Sequence, residues 1–418
     1  MSEALLPPPR KDPQKKTASP TRPPEARSRA SLGLTAAAAE GRFALQVCAE
    51  CSTVQYPPRD ACSNCIATDL PWQDISATGQ LLAETVIQTS TKLYFRERTP
   101  WRMGSVKLDA GPVVLCHIHS DCERNGHVTM LNRLDASGQG VLLAIPTKRS
   151  INMEDDPQLR TLSADPKHRR ILITDAWNPN TPTLAKALLD AGASMIFVGE
   201  AESWRPHPNR DALAQIDKVE VLPLDVTDTT SVKKLAGEIG GKTDILINNA
   251  RFMRPGGVLD RGDTGFAKEE MDVNYLGLMR LAQAFGPGMM GRTSDGINSA
   301  AAWVNILSVN ALSNTPDYGC FSASNAAAYS LSQSLRGEYR SAGLRVMNVF
   351  VGPTDDAWYQ QLPPPKVLPP AIARSVLEGL RGGFEDVWCG DIAKDVRDRF
   401  RRDAKVLERE MTAGVDGA

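Results

Sequence analysis

Four cysteines carry the clearest chemistry in the chain. Cys48, Cys51, Cys62 and Cys65 are spaced C-x2-C-x10-C-x2-C, so each pair can grip one side of a single ion while the segment between them brings the chain back. Four thiolates suit tetrahedral Zn2+ and leave no open position for water, so the spacing predicts a structural zinc site. The other cysteines (Cys116, Cys122, Cys320 and Cys389) are scattered and are expected to be reduced, a pattern that favours a metal site over a disulfide framework. His117 and His119 fall on one face of a β-type run, a second place where a metal could bind. The segment KLYFRERTPWRMGSVK interleaves Lys92, Arg96, Arg98, Arg102 and Lys107 with Tyr94, Phe95 and Trp101. Such a run can stack a base and hold phosphates, from CoA or from a nucleic-acid strand, or it can be an amphipathic strand with a solvated basic edge.

These residues need elements to position them, and the chain has room for about two domains and a tail in its 418 residues. With 42% hydrophobic and 23% charged residues it reads as soluble and globular, and a formal net charge of -1 gives no general attraction to nucleic acid or membrane. No apolar run reaches membrane-spanning length and the N-terminus lacks the apolar core of a secretory signal, so a cytoplasmic location is expected. Residues 1–33, rich in Pro, Ser, Lys and Arg, read as a disordered basic tail. Residues 34–146 alternate short β-type runs with Gly, Pro and Asp and read as a small all-β unit; 147–169 read as a linker. From residue 170 to 413, strand patterns such as RILIT, SMIFVG, DILINNA and RVMNVFVG alternate with helical ones, which predicts a doubly wound α/β domain around a parallel sheet.

The cysteine knuckles, the QYPPR insert from Gln55 to Arg59, a turn at Gly79 and the β runs to residue 146 together resemble the DUF35 family. The resemblance implies a rubredoxin-like zinc ribbon followed by an OB-fold barrel. It also implies acyl-CoA binding and partnership with thiolase-like or aldolase enzymes.

The second domain resembles the short-chain dehydrogenase/reductase family over its whole length. The matching pieces are LDV at Leu224 to Val226, NNA at Asn248 to Ala250, Val273 with Asn274, Ser308, and the GPT turn at Gly352 to Thr354. The resemblance implies a Rossmann fold. Family members open it with T-G-x-x-x-G-x-G, where glycines let the backbone approach the cofactor pyrophosphate. This chain reads TDAWNPNT, with Asp175, Pro179 and Thr181 at the three glycine positions. A charge, a missing amide and side-chain bulk all work against NAD(P) there. The family motif YxASK aligns with Phe321, Ser322, Ala323, Ser324 and Asn325. Phe321 has no proton to give, and loss of a general acid typically costs about 10²- to 10⁴-fold.

No other tyrosine on that helix fills the place. Tyr329 would lie about 12 Å along the axis and rotated by roughly 80°, and Tyr318 precedes the helix. Ser308 and Asn274 match catalytic positions, and Asp225 and Asn248 match cofactor-side positions; all four are expected to be vestigial hydrogen-bonding residues. Glu200 is expected to be a surface glutamate. The resulting expectation is a non-catalytic acyl-CoA accessory subunit with a pseudo-dehydrogenase domain, forming a homodimer or a heterodimer with an active dehydrogenase. The pairing surface is expected on helices near Lys268 and Phe321, probed by Gly277→Arg and Ala327→Arg. An NAD(P)-dependent oxidoreductase with unorthodox residues and an OB-fold nucleic-acid-binding protein are the alternatives.

Overall fold

A computed structural model describes residues 2–9, 18–25, 28–148, 150–296, 299–360 and 362–413. Of the stretch read as a tail, residues 1, 10–17 and 26–27 lie outside the described residues. The chain divides into two compact units, one built on Pro20–Asp165 and one on Pro166–Gly379 with the strand and helix from Asp386 onward.

The first unit begins with α1 (Leu32–Ala39) and a small antiparallel sheet of β1 (Ala44–Val47), β2 (Val54–Gln55) and β3 (Trp72–Asp74), in the order β2-β1-β3. A closed barrel follows. Its strands are β4 (Thr78–Ile87), then, after the one-turn α2 (Leu93–Arg96), β5 (Trp101–Leu108), β6 (Val113–Ile118), β7 (His127–Leu134) and β8 (Gly140–Pro146), closing in the order β4-β5-β6-β8-β7. Alternate residues Val114, Cys116 and Ile118 of β6 and Val128 and Met130 of β7 point into its core, as the period of two requires. Gly79 lies within β4 rather than at a turn, and a Cβ there would meet the Lys107 carbonyl oxygen at 2.5 Å, so the crowded strand crossing excludes a side chain.

The segment expected to link the units is structured up to Asp165. Asp156 accepts hydrogen bonds from the amides of Gln158 and Leu159, both at 2.9 Å, and so caps α3 (Pro157–Thr161), whose Gln158 side chain bonds both backbone groups of Arg102. Leu159 and Leu162 bury against Leu143 of β8. The apolar residues among the polar ones of this segment thus give it a place on the barrel.

The second unit is a seven-stranded parallel sheet. In chain order its elements are β9 (Arg170–Ile173), α4 (Thr181–Asp190), β10 (Met195–Glu200), α5 (Pro208–Ala214), β11 (Val219–Pro223), α6 (Thr229–Ile239), β12 (Ile245–Asn248), α7 (Gly265–Met271), α8 (Gly277–Met290), β13 (Ala302–Ser308), α9 (Gly319–Tyr339), β14 (Arg345–Val351), α10 (Pro369–Gly382), β15 (Asp386–Cys389) and α11 (Gly390–Ala413). The strand order β11-β10-β9-β12-β13-β14-β15 reverses direction between β9 and β12, which opens a crevice at the carboxyl ends of the strands. Strands such as β9 and β12 are apolar on both faces because helices cover both.

Helix α9 contains no Val, Ile or Thr over its 21 residues, is rich in Ala and Ser, and ends shortly before Gly343 at φ 71°. Between α7 and α8, Asp272–Leu276 form a π-helical segment. Gly277, expected on an outward pairing face, is buried instead: a Cβ there would lie 3.1 Å from Val226. Leu276 beside it is the exposed position, because the wider turn rotates the register.

Candidate functional site

The zinc knuckles are two copies of one turn. Cys48 receives the amide of Ser52 on its carbonyl and donates its own amide to Thr53; Cys62 does the same with Ile66 and Ala67, at 2.8–3.1 Å. Ser52 and Ile66 both take left-handed backbone conformations, φ 57° and 66°, which close the turns. The result brings four sulfurs within 4.8 Å of one another, with Cys48–Cys65 at 3.5 Å and Cys51–Cys62 at 3.6 Å. A tetrahedral ion with Zn–S bonds of ~2.3 Å needs sulfurs about 3.8 Å apart, so the donor set fits zinc and closes its shell. The Thr53 hydroxyl, 3.1 Å from Cys51 Sγ, is the first of the groups that pull the Cys51 thiol down to about 5, favouring the thiolate.

The other sequence-level candidates of this unit are engaged elsewhere. Among the described residues the four cysteines are the one group of three or more His, Cys, Asp or Glu side chains arranged to hold an ion. His117 Nδ1 accepts a hydrogen bond from Trp101 Nε1 at 2.9 Å, and His119 Nε2 meets the Met153 carbonyl at 2.9 Å. The aromatic residues of the basic segment do not present a stacking platform. Tyr94 and Trp101 are buried, Phe95 packs edge-on between them, and the Arg98 guanidinium lies 4.0 Å over the Tyr94 ring. Arg102 is bound by Glu84 and by three backbone carbonyls. Packing of its own apolar side decides this segment, since a buried ring gains more than an exposed one.

In the second unit the crevice is lined by the ends of β9, β12, β13 and β14. Asn249 is the hub of its β9–β12 side. Its Oδ1 accepts the Asp175 amide at 2.9 Å, and its Nδ2 donates to Thr181 Oγ1 at 2.8 Å and to the Asp175 carbonyl at 3.3 Å. Thr181 Oγ1 donates to that same carbonyl at 2.6 Å, and Asn178 Nδ2 reaches the Asn249 carbonyl at 2.8 Å. The loop from Thr174 to Thr181 is therefore tied down by its own side chains. At the start of α4 the Thr181 amide is committed to the Asn178 carbonyl, and Pro182 brings none. Burial pushes the Asp175 carboxyl up to about 6, against the amide of Trp177 and the charge of Arg251. These residues do not form a pyrophosphate cradle: the amides are taken or missing, and a carboxylate stands where a phosphate would approach.

Beyond that loop, Glu200 at the end of β10 is buried, not on the surface. His207 Nε2 lies 3.1 Å from one carboxylate oxygen and Arg210 2.7 Å from the other. The His207 ring stacks on Trp177 with centroids 4.5 Å apart, and the Arg205 guanidinium lies over the Trp177 indole at 4.8 Å. Asn209 holds the Ala176 and Asn178 carbonyls at 2.9 and 3.0 Å. The segment after β10 thus folds back over the loop.

At the other end of the crevice each expected residue has a defined partner. Asn325 bridges the Phe321 carbonyl and the Ser308 amide, both at 3.0 Å, so it clamps α9 to the end of β13 where the family has lysine. Phe321 is fully buried with Met253, Tyr318 and Tyr359. Asn274 donates to Ser324 Oγ at 2.8 Å and pairs with both backbone groups of Phe252. Asp225 caps its own turn through Thr227, and Asn248 accepts from Thr174 Oγ1 at 3.0 Å, tying β12 to β9.

Two residues absent from the sequence-level candidates meet here. Arg251 reaches from the end of β12 to Thr354 at 3.2 Å and Asp356 at 2.6 Å beyond β14, passing within 5.7 Å of the Tyr359 ring. Tyr359 lines the cleft beside Ser308; burial pushes its phenol up to about 12, with Arg251 and Ser308 acting in the opposite sense. The free space among these groups is only about 30 Å³. The signal for Arg251 was a large cation directly after NNA. Tyr359 had no local signal, because the chain brings it to Ser308 from a different loop.

The fold and the two sites define a fusion of a zinc ribbon and OB barrel with a Rossmann domain of dehydrogenase type. The family comparisons name the parts. Residues 35–71 match the family model described as ChsH2, rubredoxin-like zinc ribbon domain, residues 72–131 that of the ChsH2 C-terminal OB-fold domain, and residues 171–365 that of the short chain dehydrogenases. An uncharacterized oxidoreductase of Staphylococcus aureus strain N315 is 28% identical over 225 residues, covering 50% of this chain and 89% of its own. Another, of Mycobacterium bovis, is 31% identical over 208 residues, covering 48% of this chain and 59% of its own. The crystal structure of a short chain dehydrogenase from Burkholderia cenocepacia J2315 in complex with NADP superposes with a TM-score of 0.52 at 28% identity, covering 58% of this chain and 97% of that one. Among the described residues no helix is long and apolar enough to cross a membrane.

Proposed function

We propose that the chain is a non-catalytic accessory subunit that binds acyl-CoA and supports a thiolase-like or aldolase enzyme, with the Rossmann domain serving as a scaffold. The observation that carries the scaffold half is the loop from Thr174 to Thr181, whose polar groups bind Asn249 rather than facing a phosphate. The acyl-CoA half rests on the ribbon and barrel resemblance. Fusion of the two modules raises the effective concentration of one site near the other, which suits consecutive steps on one thioester. Fluorescence titration with NADH and NADPH tests the scaffold half: no saturable binding below millimolar concentration is expected, and a micromolar dissociation constant overturns it.

The scaffold reading includes a dimer, with a second copy or with an active dehydrogenase. Helix α9 exposes a strip of small residues (Ala323, Ser330 and Ser334, with Ala327 half-buried), and Leu276 is 37% exposed near it. Small side chains let two helices approach closely. Light scattering at tens of micromolar should give a dimer that Ala327→Arg or Leu276→Arg converts to monomer. A monomeric wild type with no dehydrogenase or thiolase-like protein in a pull-down removes this part.

One observation favours a second reading, that of an NAD(P)-dependent short-chain oxidoreductase. Tyr359 brings a phenol to Ser308, and a phenol is protonated at neutral pH, so it is equipped to donate a hydrogen bond to a carbonyl. The relatives named oxidoreductases and the NADP complex of the Burkholderia protein agree with it. NADPH-dependent reduction of a carbonyl panel that falls at least 10²-fold in Tyr359→Phe would establish this reading in place of the first.

A further inference from the structure

The loop from Thr174 to Thr181 binds itself, with one exception. Asn180 donates its amide to Asn178 Oδ1 at 3.1 Å and its carbonyl accepts the Leu184 amide at 2.9 Å, but its carboxamide has no partner among the described residues. The residue is only 6% exposed and lines the crevice. At the end of β12, Asn248 is equally enclosed and lines the same space. Its Oδ1 accepts from Thr174 Oγ1 at 3.0 Å, while its Nδ2 has no partner among the described residues. Buried polar groups are as a rule hydrogen-bonded, so two unused amide ends in one space call for a partner from outside the chain.

The space they face measures about 30 Å³, room for roughly two water molecules or a head group of about two or three heavy atoms. What suits it is decided by what the walls leave unused: Asn180 offers a donor and an acceptor, Asn248 a donor. A carboxylate only accepts, so it would set an oxygen against Asn180 Oδ1. An ammonium only donates, and would meet two Nδ2 groups. Charge gives an anion little help, because Arg251 in the same crevice is bound to Asp356 at 2.6 Å and interacts with the Asp175 carboxyl as well. A carboxamide carries donor and acceptor side by side in one plane, the complement of Asn180's own, so two bonds can form at once. A hydroxyl has one oxygen for both.

We infer that this end of the crevice is a binding site for a neutral carboxamide, which pairs with Asn180 through its N–H and its oxygen and takes a further bond from Asn248 Nδ2. The site rests on neither functional reading, since it needs no pyrophosphate cradle and no acyl-CoA in the barrel. Each reading nevertheless supplies an amide of its own, a pyridine carboxamide in one and the pantetheine arm of a thioester in the other. The test tells them apart.

The test uses the full-length, zinc-loaded protein with benzamide and benzoate, two probes of one shape that differ in charge, followed by ligand-observed NMR. Saturable binding of benzamide is expected, with benzoate at least tenfold weaker. Asn180→Ala should weaken benzamide at least tenfold. Because that carboxamide has no partner to lose, the variant should keep the thermal transition of wild type. Asn248→Asp, which retains the acceptor for Thr174 and removes the free donor, should weaken benzamide as well. No saturable binding, equal binding of benzoate, or an Asn180→Ala variant that keeps benzamide overturns the site. Nicotinamide and pantetheine then compete against benzamide: displacement by either supports the site and names its amide, and displacement by neither overturns it.

Discussion

The zinc knuckles and the Rossmann crevice hold their converging side chains to opposite ends. At the knuckles every converging group is a sulfur donor, and the backbone repeats one turn to deliver them. At the crevice the converging groups bind one another: Asn249 with Asp175 and Thr181, Asn325 with Ser308, Arg251 with Asp356. The difference lies in what each ligand does for folding. Structural zinc contributes about 10–16 kcal/mol to a small domain, so a unit with a modest core cannot exchange a ligand and stay folded. A seven-stranded sheet covered on both faces has a core of its own. Its cofactor-side residues can change, provided each buried polar group finds a new partner.

The largest effect should come from the metal side. Cys48→Ser is expected to abolish stoichiometric zinc and unfold the first unit, while the second keeps its slow amide hydrogens. Elemental analysis and hydrogen exchange check this, and wild type with less than about half an equivalent of zinc would break the comparison. Next is the crevice hub. Asn249→Ala leaves the Asp175 amide without its partner and takes one of two hydrogen bonds from both the Asp175 carbonyl and Thr181 Oγ1, which keep each other; this should cost roughly 3 kcal/mol in urea unfolding of the second unit. If the loop instead relaxes toward nucleotide binding, NADPH should protect the variant, and the self-bound account fails.

The smallest effect is a pH dependence. The folded Asp175 pKa of about 6 lies above its ordinary 3.8, so the folded state holds the proton more tightly. Its destabilising contribution is absent below about pH 4, grows as pH rises from there to 6, and is complete above 6. Asp175→Asn, which keeps the oxygen facing the Trp177 amide, should therefore match wild type at pH 4 and exceed it by about 1–3 kcal/mol at pH 8. Denaturation curves at the two pH values decide it; equal differences at both would place the Asp175 carboxyl in water.

What the sequence discloses depends on how local the cause is. The four cysteines are legible because each pair lies on one turn, and the parallel sheet because strand and helix periods alternate visibly along the chain. Glu200 is not legible, because its burial depends on His207 and Arg210, which only the fold of the next loop brings to it. The basic aromatic segment misleads for a related reason: spacing shows which side chains share a face, not which face the barrel covers. Gly277 fails by register, since five residues of wider turn precede it. Tyr359 reaches Ser308 through tertiary structure alone.

The four cysteines are not equally sheltered: Cys48 and Cys62 are buried, Cys51 is half-covered and Cys65 is exposed. The knuckles are alike in backbone, but solvent reaches the ion from one side. Dissociation of the metal should therefore begin at Cys65, the ligand that water, chelators and electrophiles meet first. Iodoacetamide should label Cys65 earliest and Cys48 and Cys62 last, and each first modification should hasten the next. Damage to this centre would then run as an ordered unzipping, with the exposed second knuckle as its starting end.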